Sequence, residues 1–334
     1  MKQKITIALS VILILAAVYL IAQDLFRHKP VPAEVSCCGD DLVSLKKIDT
    51  AAIGYEKIKV IETNAMALAG IAVNNWNEIF ITGKGKVIRF DASGTKSDEF
   101  DFDSLASCLS VTDEIIIAGA GPDIIGYDLN NRTILFRKRN QADSQITSVA
   151  INEGYVYAAD ASRRIIMKYD LTGNFIKEIG KKDTVTEAPG FIVPSPYFDL
   201  AFGGFNDLWV SNTGRLKVEQ YSEDGYFQTD WGKASYEPNG FTGCCNPAHL
   251  ALLPDGCFVT YEKGIDQVKL FNQAGQFICF VAGAGSFRGN ADFNLGNNHL
   301  VKDLATGPDG NIYILDAYNR INVFQKKPDK SAGL

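Results

Sequence analysis

The feature that most constrains this chain is a pattern that recurs six times. A short apolar strand leads through a turn to a β-rich strand ending in a small or acidic residue, and a further strand closes near Tyr or Phe followed by Asp. The copies begin at Gly70, Cys108, Ser148, Asp199, His249 and Asp303, so successive starts are 38, 40, 51, 50 and 54 residues apart. Periods of this size belong to propellers or solenoids, whose units must stack to bury their apolar faces. Val, Ile, Tyr and Phe are enriched with period-two alternation, and no amphipathic helical pattern of useful length follows Ala22. Each copy holds about four strands, which is one propeller blade.

The ends of the array favour a ring over a solenoid. The sixth copy runs out after three strands at Gln325, while a β-like segment, EKIKVIE at 56–62, precedes the first copy unassigned. That segment can supply the missing outer strand of the last blade and remove two open sheet edges. The longer periods place insertions at 181–196, 233–246 and 283–298, each between an outer strand and the next inner strand. All three are expected on one face. The quoted stretches PAHLALLPDG, VKDLATGPDGNIYILDAYNRINVF and VAINEGYVYAADASRRIIMKYDLTGNF resemble NHL repeats over residues 55–325, well in copies three to six and loosely in the first two. The resemblance implies an all-β, six-bladed β-propeller. It implies little about activity, since that family includes scaffolds, ligand binders and a few lyases, and fold alone does not carry function.

In front of the array lies an uncharged apolar run at 5–22, preceded by Lys2 and Lys4. Its 18 residues make about 27 Å of helix, close to the hydrocarbon thickness of a bilayer. A signal peptide has a shorter apolar region and a small-residue cleavage site, which Leu20-Ile21-Ala22-Gln23 fits badly. An uncleaved anchor is therefore expected, with the basic N-terminus in the cytoplasm and the propeller outside it. The resulting layout is a transmembrane helix at 1–23, a short polar stalk at 24–54 carrying Cys37 and Cys38, the propeller at 55–326 and a polar tail at 327–334. With 46% apolar and 22% charged residues the chain can build a real core. A net charge of -6 without basic blocks argues against nucleic acid as a partner.

The positions that depart from the repeat carry the candidate chemistry. The usual Gly at the head of the inner strand is kept at Gly70 and replaced by Cys108, Ser148, Asp199, His249 and Asp303. In register, these form a ring around one mouth of the central channel, with Asp199, His249 and Asp303 as neighbours. Two carboxylates and an imidazole suit a divalent metal ion or a polar ligand clamp. The alternative is that each side chain bonds to the backbone of the next blade, as buried polar groups usually do. Asp160, Asn212, Glu262 and Asp316 end the second strands at the same face and read as turn acceptors. His299, at the end of the last insertion, reads as a loop residue within reach of that mouth.

Seven cysteines leave an odd thiol in an exported protein. Adjacent residues have Cα atoms about 3.8 Å apart, under the usual disulfide range, so neither Cys37-Cys38 nor Cys244-Cys245 is expected to close on itself stably. Two readings stand: disulfides that staple the stalk to the propeller, favoured by the absence of a usual zinc spacing, or a site for a soft metal or electron exchange. Cys257 and Cys279, about two strand spacings apart, are too distant to bridge and join Cys108 as small apolar residues. No nucleophile elbow, HExxH or phosphate-binding loop is present, and Gly119-Ala120-Gly121 and Gly283-Ala284-Gly285 read as turns. The expected role is a membrane-tethered module that binds a protein, peptide or glycan rather than an enzyme. The alternatives are a metal-dependent lyase or lactonase at the channel mouth, or an envelope redox or metal-handling protein.

Overall fold

The computed structural model describes residues 45–102, 105–204, 206–287 and 299–328, and all structural statements refer to these. The apolar run at 5–22, His28, Cys37, Cys38, most of the third insertion and the end of the tail lie outside them. Among the described residues no helix is long and apolar enough to cross a membrane.

The described residues form 24 strands in six four-stranded antiparallel sheets. After β1 (Tyr55–Glu62), blade one is β2–β5, opened by Leu68–Val73 on the inside and closed by Lys96–Asp101 outside. Blades two to five are β6–β9, β10–β13, β14–β17 and β18–β21, with inner strands Cys108–Val111, Ile146–Asn152, Leu200–Phe202 and His249–Leu252. Blade six takes β22 (Val301–Thr306), β23 (Ile312–Asp316) and β24 (Arg320–Lys326) from the end of the chain, and its outer strand is β1. Antiparallel pairing runs from Tyr55 with Lys326 to Glu62 with Arg320. The six-bladed propeller and its closure are therefore as the repeat register predicts.

The core does not sit within any one sheet. Six apolar clusters form among the described residues, each shared by two adjacent blades. The cluster that closes the ring joins Leu315, Ile321 and Val323 of blade six to Leu68, Ile71 and Ile81 of blade one, with Ile61 of β1 packed among them. At about 1.5–3 kcal/mol for each fully buried aliphatic side chain, these seams are the main stabilising term. Gly70 shows how close the inner strands come: a Cβ there would lie 2.9 Å from Leu109 Cδ2 and 3.0 Å from Cys108 Cα. A larger residue there would have to push blade two outward.

Buried acceptors tie the inter-blade connections to the sheets. Asp160 Oδ1 accepts the Gln145, Ser162 and Arg163 N–H groups, Asn212 Oδ1 accepts Ile192 N–H, Glu262 accepts Thr242 N–H, and Asp316 Oδ1 accepts the Tyr318 and Arg320 N–H groups. All four are fully buried, so the expected acceptor role of the second-strand residues holds. Two of them, Asn212 and Glu262, thereby fix the first and second insertions on the face that carries the inner-strand heads. Glu262 also pairs with Lys269, and the two side chains are 0% and 2% exposed. Lys269 Nζ further donates to Gly240 O at 2.8 Å.

Two outcomes follow for stability. A variant lacking Tyr55–Glu62 leaves β24 as an open edge and half-uncovers the closing seam, so it should self-associate in size-exclusion chromatography. Glu262→Gln keeps the acceptor for Thr242 but strands a buried ammonium, which costs about 3–5 kcal/mol in denaturant unfolding; adding Lys269→Met should recover most of that loss.

Candidate functional site

The inner-strand heads do form a ring, and they enclose a cavity of about 440 Å³ lined by residues of all six inner strands, Asp199, His249 and Asp303 among them. Cys108 is on the ring but turned into the seam between blades two and three. It is buried, its sulfur lies 3.9 Å from Ile146 O, and burial pushes its thiol up to about 12. Ser148 Oγ donates to Asp199 Oδ1 at 2.5 Å and accepts the Leu200 N–H at 3.3 Å. Asp199 Oδ2 accepts the Leu250 N–H of blade five, and Asp303 Oδ2 accepts the Ile71 N–H of blade one, both at 2.9 Å. For Ser148, Asp199 and Asp303 the expectation of a bond to the next blade is thus met. Each satisfies a backbone donor that the narrow channel leaves without a sheet partner.

His249 breaks this series. Its Nδ1 lies 3.6 Å from Asp199 Oδ2 and 3.5 Å from Asp303 Oδ1, with side-chain exposures of 15–18% for the three residues. Those distances exceed the 2.7–3.2 Å of a real N–H···O bond. They match the separation of about 3.3–3.6 Å that donors take around a tetrahedral ion with bonds of about 2.0–2.2 Å. One nitrogen and two oxygens lie within 4.8 Å of one another. The residues therefore fit a borderline divalent ion, with His249 and the two carboxylates as ligands. His249 also lines the channel cavity.

The electrostatics of the cluster favour bound protons or a bound cation. Burial pushes the Asp303 carboxyl up to about 7; the His249 imidazole pulls it back, and the Asp199 carboxylate acts with burial. For His249, burial alone would lower the pKa, but the carboxylates of Asp199 and Asp303 outweigh it and the net shift is upward.

Above the cluster the insertions and turns build a rim that the repeat pattern did not single out. Tyr197, just after the first insertion, sets its ring edge-on to His249 at 6.1 Å and to His299 at 5.9 Å, while Tyr261 stacks on His249 at 5.9 Å. Lys263 Nζ stands 4.2 Å over the Tyr197 ring and donates to Ser195 Oγ at 3.3 Å. His299 therefore belongs to the mouth, beyond the plain loop role expected of it; burial first, and then the Lys263 charge, lower its pKa. The only sequence signal for Tyr197 and Lys263 is register, since they flank the head of blade four and the buried Glu262. Cys244 and Cys245 lie in the second insertion with their sulfurs 3.5 Å apart, and Cys245 is close enough to Tyr197 to add to the burial that raises the phenol's pKa. Cys257 and Cys279 are thiols packed against the seam between blades five and six, but only half-buried, short of the full burial expected of them.

The signs of these shifts give a test. A carboxyl raised from about 3.9 in the unfolded chain to about 7 makes the folded state hold extra protons between those values. The stability it contributes is complete below about pH 4 and is lost as pH rises through about 7, and the raised His249 acts in the same sense. In chelator, the urea midpoint should fall from pH 5 to pH 8, and Asp303→Asn should flatten that fall.

No known family's sequence profile matches the chain, and no curated protein does. Solved structures do. A streptogramin B lyase structure is 13% identical, covering 84% of this chain and 100% of its own, with a TM-score of 0.57. A catalytically inactive variant of virginiamycin B lyase from Staphylococcus aureus, with quinupristin, is 12% identical over 82% of this chain and 100% of its own, with a TM-score of 0.56. A chain of a mitotic checkpoint complex is 14% identical over 84% of this chain and 95% of its own, also at 0.56. At these identities the likeness is one of fold, shared by lyases and an assembly component alike.

Proposed function

We propose that this NHL-type propeller is a membrane-tethered binding protein, held by residues 5–22 with its propeller outside the cytoplasm, that seats a protein, peptide or glycan ligand on the face built by the insertions. The observation that carries the reading is the Asp199–His249–Asp303 cluster at the mouth of the channel, with both carboxylates at ion-like separations from His249 Nδ1 and an aromatic rim of Tyr197, Tyr261 and His299 around it. A divalent cation held there would supply a positive centre for a carboxylate, carbonyl or hydroxyl oxygen of the ligand. Lys263 adds a second cation on the rim. Aromatic faces beside a polar anchor are a common arrangement for sugars and peptide ends.

A lyase- or lactonase-like activity is the second reading. It is favoured by an imidazole set beside two carboxylates at the channel mouth, 3.6 and 3.5 Å from its Nδ1, a set of groups able to take and give protons. Two of the proteins similar in fold are lyases.

The test is metal content and ligand capture with the purified full chain. About one equivalent of a divalent ion is expected by elemental analysis, and His249→Ala or Asp303→Ala should remove it. Arrayed glycans and peptides should be retained by the unaltered chain and released by chelator. No stoichiometric ion, or capture indifferent to both variants, would overturn the cation-centred reading. Recovery of a captured ligand in cleaved form would decide for the enzyme.

A further inference from the structure

The lysines of this chain are treated unequally by their surroundings. Away from the channel, ammoniums meet carboxylates: Lys86 and Lys96 pair with Glu99, Lys177 with Asp224 and Lys217 with Asp230. At the mouth the pattern changes. Lys263 is half-buried, and its Nζ has a hydroxyl, Ser195 Oγ at 3.3 Å, and the face of the Tyr197 ring, 4.2 Å to the centroid, as its partners among the described residues. Lys46 follows Leu45, whose carbonyl accepts a bond from Gln267 Nε2 at 2.6 Å, and its ammonium comes only within 4.0 Å of Asp266 Oδ2.

Asp266 is already engaged. Its Oδ1 accepts the Tyr261 hydroxyl at 2.7 Å and the Leu300 N–H at 3.1 Å. His299, next to Leu300, registers the imbalance: besides burial, the charges acting on its imidazole are Lys263, Asp266, His249 and Lys46, of which only Asp266 is negative. A half-buried ammonium has lost part of its hydration, and neither a neutral hydroxyl nor a ring face replaces a counter-ion. The position is also held. Asn246 accepts the Lys263 N–H at 2.9 Å and donates to the Lys263 carbonyl at 3.2 Å, so an incoming anion has little left to order. With a net charge of -6 over the whole chain, this excess of positive charge belongs to the rim alone.

We propose that Lys263, Lys46 and His299 form an oxyanion subsite on the rim, which receives a carboxylate or phosphate group of the ligand while the rest of that ligand extends over His249 and the channel. The proposal rests on the reading of this mouth as the binding face, and it requires no metal ion there. Lys263 supplies charge and the N–H donors that Ser195 leaves over, Lys46 adds attraction, and His299 offers a ring N–H. Tyr197 links these groups, with Lys263 over its face and His249 and His299 at its edge. The ligand class narrows to molecules that carry an anionic oxygen group.

Amine acylation by a succinimidyl ester, read by peptide mass, tests this on the full, detergent-solubilised chain freed of divalent ions over a chelating resin. Inorganic phosphate and acetate are the two probes. Either should slow acylation of Lys263 and Lys46 several-fold and leave Lys177 on the outer strand of blade three unchanged; protection by phosphate alone assigns the group to phosphate, and by acetate alone to carboxylate. This readout needs no variant. Calorimetric titration with the protecting probe should show binding weakened about tenfold or more in Lys263→Met, weakened less in Lys46→Gln and His299→Phe, and retained in Lys263→Arg. Raising sodium chloride from about 50 mM to about 500 mM should weaken it as well. Acylation of Lys263 slowed by neither probe, or binding indifferent to Lys263→Met, would overturn the proposal. Anion binding that appears only with an added divalent ion, is lost in His249→Ala and persists in Lys263→Met would overturn the subsite and leave the cation-centred reading standing. Lysine-dependent binding by the metal-free chain supports the subsite whether or not Asp199, His249 and Asp303 hold an ion.

Discussion

Every blade in this molecule depends on its neighbours for a core. The apolar clusters are seams between sheets, so no blade can bury its faces alone and the last seam must be made between the two ends of the array. The pairing of Tyr55–Glu62 with Arg320–Lys326 is what makes that last seam. Because it brings together residues at opposite ends of the array, it carries a large loop-closure cost that only the completed ring offsets. Ring closure in turn fixes the diameter of the channel. Glycine at position 70, where a Cβ would strike blade two, is a local consequence of that tight radius.

The narrow channel imposes a second demand. Inner-strand N–H groups that face the axis have no sheet partner, and side chains at the strand heads supply acceptors from the neighbouring blade. Ser148, Asp199 and Asp303 do this. Two carboxylates thus reach the channel mouth for an architectural reason before any chemistry is asked of them. The imidazole of His249 stands between them, 3.6 and 3.5 Å from their nearer oxygens, longer than an ordinary N–H···O bond. Structure and site are the same residues here, which ties the protonation of the mouth to the stability of the ring.

Much of this was legible in the sequence because it is periodic. The repeat gave the blade count, the closing strand and the face of the first two insertions, and register alone placed Asp199, His249 and Asp303 side by side. The acceptor role of Asp160, Asn212, Glu262 and Asp316 followed from their position at strand ends. What escaped was whatever the period does not govern. Tyr197 reaches His249 from the position just after an insertion, Lys263 points to the mouth because Asn246 grips its backbone, and the burial of Lys269 beside Glu262 depends on the path of the second insertion.

The six strand heads are chemically unequal, and the inequality is directional. Gly70 and Cys108 make one side of the ring small and apolar, whereas Ser148, Asp199, His249 and Asp303 gather the polar atoms on the other. A scaffold with sixfold repetition would offer a guest six equivalent orientations about the axis. Concentrating charge on one arc removes that degeneracy, so anything held at this mouth takes a single azimuth, off the axis and under the rim that blades four to six provide.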